Sequence, residues 1–218
     1  MYRFGRDWIT HEREKRLLIE SRKVAELAFL RAQIGPHFLF NTLNNLYSLG
    51  LRGKTEQVTN GIAKLSQLLR YILHDSQRDT VSLADEIGYI ESFMELSRLA
   101  VEGDEIVFDV DLNGSAKDYR IAPMLLFPFV ENAFKHGIGV DGNSFVQIKL
   151  GADRGKVDFS VANSIAAKQS DMDTNSTGVG LDNVRQRLEL LYPKSHELSV
   201  TQKLHKFRIH LRLELTPR

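Results

Sequence analysis

The 218-residue chain contains no cysteine. That excludes disulfides, thiolate metal sites and cysteine nucleophiles, and it fits a reducing compartment. No apolar run reaches the roughly 20 residues that a membrane helix needs, and the N-terminus does not read as a signal peptide. There is no excess charge of one sign. Lys and Arg total 29 against 28 Asp and Glu, so bulk charge predicts no direct nucleic-acid partner. Internal repeats, a Ser-His-Asp arrangement and zinc-type spacing are all missing. His11, His74, His196, His205 and His210 read as ordinary surface or edge residues.

What charge there is lies unevenly. Residues 1–80 carry 13 basic and 8 acidic side chains, and residues 81–218 carry 16 and 20, a change from net +5 to net −4. The asymmetry suggests two domains, with the polar stretch SQRDTVS (76–82) as the boundary. The opening segment mixes Tyr2, Phe4 and Trp8 with Arg3, Arg6, Arg13, Lys15 and Arg16. Such a mixture can follow a membrane span on its cytoplasmic side, and an exposed helix start would look the same. On the first reading the chain is the cytoplasmic portion of a bacterial inner-membrane protein whose sensor part lies outside it.

Residues 11–50 read as one long helix, with Leu17, Val24 and Phe38 on one heptad position and Leu27 and Ile34 on the interleaved one. A second helix is expected at 55–76, where Ile62, Leu65, Leu69 and Ile72 follow 3-4-3 spacing. A lone hairpin cannot bury both apolar stripes, so a homodimeric four-helix bundle is expected. Beyond residue 80 the pattern predicts a helix at 83–100 capped by Ser82, a strand at 106–112 and a helix at 122–137 started by Pro123. Strands are expected at 145–150 and 156–163, a mobile loop at 166–177, a helix at 178–192, and two closing strands. This is an α+β domain, a mixed sheet with helices on one face.

Three segments carry chemistry. QIGPHFLFNTLNNL (33–46) places Pro36 directly before His37 inside an amphipathic helix, with Asn41 one turn later. A proline there removes a donor and clashes with the preceding turn, at about 3 kcal/mol. ENAFKHG (131–137) puts Glu131, Asn132, Lys135 and His136 at the end of an apolar helix. An amide oxygen beside an ammonium suits a magnesium–polyphosphate, and a polar helix end capped by Gly137 is the plainer alternative. TNSTGVGLDNVRQRL (174–188) sets Gly178 and Gly180 before a helix N-terminus, where free N–H groups attract phosphate, with Asn183 behind. A polar loop, glycines and a helix in that order look like a lid over a nucleotide.

Together these segments, with LLRYIL, PMLLFPFVENAFKHG and GVGLDNVRQRLELLYP, resemble the LytS-like sensor histidine kinases over about residues 30–215. The resemblance implies a dimerisation and phosphotransfer hairpin (1–80) followed by a Bergerat (GHKL) α/β sandwich that binds ATP (81–218). It makes His37 the phosphoacceptor, with Asn41 orienting the ring or the phosphoryl group, and Asn132 the Mg²⁺ ligand, with Glu131 and Lys135 at the metal and phosphates. His136, Thr177, Gly178, Gly180 and Asn183 fall at the nucleotide. The implied partners are a second copy and the receiver domain of a separate response regulator, for which the LytTR type is one candidate. Broader histidine kinases carry Asp-x-Gly where this chain reads VANSI (161–165), so Asn163 stands for the adenine-reading Asp and Ile165 for the Gly. Bergerat-fold ATPases place a catalytic Glu where this chain has Pro128, which favours transfer to histidine over hydrolysis. The alternatives to a kinase are such an ATPase, or a nucleotide-silent dimeric scaffold that binds a regulator.

Overall fold

The computed structural model describes residues 36–99, 105–113, 116–138, 144–165, 176–203 and 205–216. The part of the expected 11–50 helix before residue 36 and most of the expected loop at 166–177 lie outside these residues. The chain divides into two compact units, Met1–Gly53 and Lys54–Arg218.

In the first unit, helix α1 spans Pro36–Leu51. Its Thr42 and Leu46 are buried, whereas Phe40, Leu43, Tyr47 and Leu51 are all more than half exposed. Those four recur at spacings of three and four, so they form one apolar stripe along the helix.

The second unit opens with α2 (Thr55–Arg70), which runs into a π-helical turn at Tyr71–Asp75. The Ser76 N–H donates to the Tyr71 carbonyl at 2.9 Å, the five-residue step that defines this turn. The helix expected over 55–76 is therefore present, with its last turn widened. A two-residue strand β1 (Val81–Ser82) leads into α3 (Leu83–Arg98). Ser82 and Asp85 form a complete capping box: Ser82 Oγ accepts from the Asp85 N–H at 3.0 Å, and Asp85 returns the favour to the Ser82 N–H. Reciprocal capping satisfies two helix-end donors and fixes the start of α3.

Strand β2 (Glu105–Asn113) is followed by the short β3 (Arg120–Ile121), which pairs with β1. Then come α4 (Phe127–Gly137), β4 (Phe145–Asp153), β5 (Lys156–Ser164), α5 (Ser176–Leu191), β6 (His196–Lys203) and β7 (Lys206–Glu214). The main sheet has the order β2-β4-β5-β7-β6; β2 and β4 are parallel and the remaining neighbours antiparallel. One face is buried under the helices. Val146, Ile148 and Leu150 of β4, Val157, Phe159 and Val161 of β5, and Ile209, Leu211 and Leu213 of β7 alternate inward. Phe129, Val130 and Ala133 of α4 and Val184 and Leu188 of α5 are buried as well. Each large apolar side chain so buried stabilises the fold by about 1.5–3 kcal/mol before chain entropy is counted. The other face is polar, with His210 and Arg212 both meeting Asp158 and Arg212 reaching Glu197.

This is the two-layer α/β sandwich expected from the sequence, with one correction. The helix expected from Pro123 begins only at Phe127, because residues 122–126 are held in an irregular buried path. Met124 adopts φ 55°, which no helix accommodates.

Candidate nucleotide site

The site is organised around α4. Its apolar positions Phe127, Phe129, Val130 and Ala133 are buried, which leaves Glu131, Asn132 and His136 half-buried and Lys135 exposed on the remaining surface. Lys135 and His136 fall in the last turn, where cations complement the helix dipole. Burial pushes the Glu131 carboxyl above its ordinary range, and the Lys135 ammonium one turn on pulls the other way.

The C-terminal end of α4 meets the end of β5 closely. A Cβ added to Gly137 would lie 2.6 Å from Asn163 Cβ and 3.0 Å from its Nδ2, so only glycine fits there. The two-residue period of β5 places Asn163 inward, in series with Val157, Phe159 and Val161, and it is 1% exposed. Its Nδ2 donates to the Ser164 carbonyl at 2.7 Å. Its Oδ1 is buried and has no hydrogen-bond partner among the described residues. Ser164 binds the junction together: its Oγ donates to the Gly137 carbonyl at 2.7 Å and accepts from the Phe145 N–H at 3.1 Å. The amide of Asn163 is thus oriented by Ser164, with its oxygen left as an unpaired acceptor among the described residues. Leaving a buried acceptor unpaired costs about 1–3 kcal/mol, and a ligand donor would recover it.

A second polar centre, not anticipated from the sequence, lies at the start of α4. Glu86 of α3 is fully buried and accepts from the Tyr71 hydroxyl, from the Met124 N–H at 2.9 Å and from the Leu126 N–H at 3.0 Å. Arg187 of α5 donates to the carbonyls of Pro123 at 2.9 Å and Met124 at 3.1 Å. The Tyr192 hydroxyl accepts from the Ala122 N–H at 2.9 Å. Burial drives the Glu86 carboxyl up, opposed by the hydrogen bonds from Tyr71, Leu126 and Met124 and by the charge of Arg187. Burial, followed by the charge of Glu86, raises Tyr71 so far that its hydroxyl stays protonated and donates. One signal for this centre was available: Glu86 sits on the Leu83–Ile87–Ile90 stripe, a carboxylate on an otherwise apolar helix face.

Helix α5 packs against α4. Gly178 and Gly180 were expected just ahead of it, but it begins at Ser176, so both glycines lie in its first turns. Gly180 has open space where a side chain would be, and Asn183 is exposed. Thr177 holds a helical backbone position, and its side chain lies outside the description. In the other unit, His37 and Asn41 occupy α1 one turn apart, and Asn41 is exposed. The structure thus brings Asn163 to the end of the Glu131–His136 helix and sets α5 beside it. Among the described residues no group of three or more His, Asp or Glu is placed to hold a metal ion. None of the described helices is long and apolar enough to cross a membrane.

A family model described as histidine kinase matches residues 25–105. The sensor histidine kinase YesM of Bacillus subtilis is 28% identical over 86% of this chain and 32% of its own length. The sensor protein LytS of Oceanobacillus iheyensis is 33% identical over 59% of this chain and 21% of its own length. The sensor protein kinase HptS of Staphylococcus aureus is 35% identical over 51% and 21%. The chain therefore spans a third or less of the length of these relatives. The matched segment runs through the PHFLFN motif and Glu86, and all three relatives carry sensor names, two of them as kinases. Over residues 25–105 the chain is thus similar to histidine kinases, and the relatives it resembles over longer stretches are sensor proteins of that kind.

Proposed function

We propose that this chain is the transmitter region of a sensor histidine kinase, in which ATP bound at α4, β5 and α5 phosphorylates His37. The observation that carries the reading is the buried, unpaired Oδ1 of Asn163. An acceptor fixed in that orientation matches the exocyclic amino group of adenine, which is a donor, and its neutrality distinguishes it from the carboxylate of broader kinases. Asn132 would supply an amide oxygen to Mg²⁺, with Glu131 at the metal and Lys135 and His136 toward the phosphates. Thr177, Gly178, Gly180 and Asn183 would line the phosphate side through the first turns of α5, where helix N–H groups favour anions. Magnesium would neutralise charge on the phosphates, and catalysis would then be mainly positioning.

In the transfer step a neutral imidazole nitrogen of His37 attacks the γ-phosphorus. A P–N bond forms, the bond to the bridging oxygen breaks, ADP leaves, and the imidazole gives up its N–H proton. Asn41, one turn on, would orient the ring or the phosphoryl group. The phosphoryl group then passes to an Asp of a response regulator receiver domain, of LytTR type on the family resemblance. The domain division at residue 80 belongs to the same reading, with the hairpin as phosphotransfer domain. So does a homodimer: the exposed stripe of Phe40, Leu43, Tyr47 and Leu51 on α1 is what a second copy would cover in a four-helix bundle. A membrane-embedded sensor portion ahead of the chain would place this region in the cytoplasm.

The test is incubation with γ-³²P-ATP and Mg²⁺, comparing the protein with His37→Gln. Label that is acid-labile, alkali-stable and absent from the variant is the expected result. A protein that binds ATP but leaves His37 unlabelled would refute the transfer reading.

A further inference from the structure

Residues 122–126 lead straight into the helix that carries Asn132, and their backbone is gripped from two sides. Glu86 of α3 takes the N–H groups of Met124 and Leu126, and Arg187 of α5 takes the carbonyls of Pro123 and Met124. Between the two grips Met124 sits at φ 55°, a conformation that a residue with a side chain holds only where its surroundings impose it. The path of this segment, and hence the placement of the first turn of α4, is set by these side chains rather than by helix propensity.

Glu86 has a third donor, and it comes from a different part of the molecule. Tyr71 lies in the π turn that ends α2, the helix that follows the phosphoacceptor helix in the chain. Its ring also stacks on Tyr89 at 4.7 Å, and Tyr89 meets Phe127, the first residue of α4, edge-on at 4.8 Å. One carboxylate therefore joins the end of α2 to the start of α4, with an aromatic contact running beside it. Single π turns are frequent at functional positions. Here the widened turn contains the tyrosine that reaches Glu86.

We propose that Glu86 is a positioning residue that registers the end of α2 to the Asn132 helix, so that α2 and the nucleotide site hold one geometry for phosphotransfer. The proposal rests on the kinase reading above. Tyr71 is the link on the α2 side and Arg187 the link on the α5 side. The Tyr71 hydroxyl contributes to the alignment of the two parts, while the N–H contacts of Glu86 maintain the nucleotide site itself.

The two kinds of contact separate experimentally. Tyr71→Phe keeps the ring and its stacking and removes only the hydroxyl. We expect the first-order rate of His37 phosphorylation at saturating ATP to fall about fivefold, the equivalent of one neutral hydrogen bond, with the ATP dissociation constant within twofold of wild type. Glu86→Gln turns one oxygen into a donor and leaves at least one of the Met124 and Leu126 N–H groups without an acceptor. It should weaken ATP binding as well as slow transfer. Both are measured well below the melting temperature of each variant, and Tyr71→Phe carries the test alone where Glu86→Gln does not fold. A Tyr71→Phe protein that melts earlier yet transfers at the wild-type rate overturns the proposal and leaves Glu86 a core-stabilising group. A Tyr71→Phe protein that loses ATP affinity in step with rate also overturns it. If wild type binds ATP and labels His37, either result counts against the positioning role alone. If wild type binds no ATP, the kinase reading itself fails and this role falls with it.

Discussion

Gly137→Ala tests the junction on which the proposed nucleotide site depends. The new methyl carbon would lie 2.6 Å from Asn163 Cβ, 3.0 Å from Nδ2 and 3.1 Å from Cγ. Carbon atoms in contact prefer about 3.5–4.0 Å, so the overlap is close to 1 Å against an atom attached directly to the β5 backbone. Rotating the Asn163 side chain moves Nδ2 and Cγ but not Cβ, so the ends of α4 and β5 have to separate. Overpacking of this kind costs about 1–3 kcal/mol. Separation also strains the Ser164 bond to the Gly137 carbonyl at 2.7 Å, for which the loss is about 1 kcal/mol. The gain from replacing a helical glycine by alanine is at most about 1 kcal/mol, and less in a last turn. The balance is a loss of about 2 kcal/mol, or roughly 4–8 °C in melting temperature for a chain of this size. Asn163→Gly removes the opposing Cβ, so in that background the same Gly137→Ala change should cost less than about 0.5 kcal/mol. A double-mutant cycle followed by urea unfolding measures the difference. An equal cost in the two backgrounds, or no cost in either, would refute the close approach of α4 and β5.

Two further changes read the buried polar groups. Asn163→Asp puts a carboxylate oxygen where Nδ2 now donates to the Ser164 carbonyl, so two acceptors would face each other. The nucleotide-free protein should lose about 1–3 kcal/mol in urea unfolding, and ATP should recover more stability in the variant than in wild type; an unchanged nucleotide-free stability would count against the assigned amide orientation. For Glu86 the folded state holds its proton to higher pH than the unfolded chain, which releases it near pH 4.3. Between those two values the folded state binds more protons, so the stability contributed by Glu86 is full at low pH and is lost as pH rises. Tyr71, Tyr89, Tyr192 and Arg187 surround it and keep their protons across that window. The stability of wild type minus that of Glu86→Gln should therefore fall from pH 4 to 8, and a difference that grows with pH would refute the assignment.

Much of the sheet was legible because its chemistry is local. IVFDVDL, FVQIKL and KVDFSVAN alternate with period two, and the structure places β2, β4 and β5 within a residue or a few of those segments. The cap at Ser82 was legible for the same reason: its partner is three residues away. The run APMLLF carries no local sign of its irregular path, because an apolar stretch looks the same whether it enters a helix or lines a core as an extended loop. What separates the two is the destination of its N–H groups. Those of Met124 and Leu126 go to Glu86, some 40 residues earlier in the chain, and no local pattern records that.

The same distinction divides the site. Asn132, Lys135 and Asn163 stand out because they are polar in apolar surroundings and carry family motifs. Glu86 has the first property to a greater degree, yet it reads at first sight as a favourable acid in the first turn of α3. A first-turn acid that serves only the helix dipole can stay in water, where its charge is worth about 0.3–1 kcal/mol. Withdrawing a carboxylate completely from solvent costs several times that, and three hydrogen-bond donors from residues 71, 124 and 126 have to be assembled to offset it. Helix stability does not account for such an arrangement. A need to hold those three residues together does, since one carboxyl group meets donors from the end of α2 and from the segment that enters α4. The fold concentrates these buried polar contacts where the end of α2, the start of the Asn132 helix and α5 converge, and that is where the proposed phosphotransfer would demand a fixed geometry.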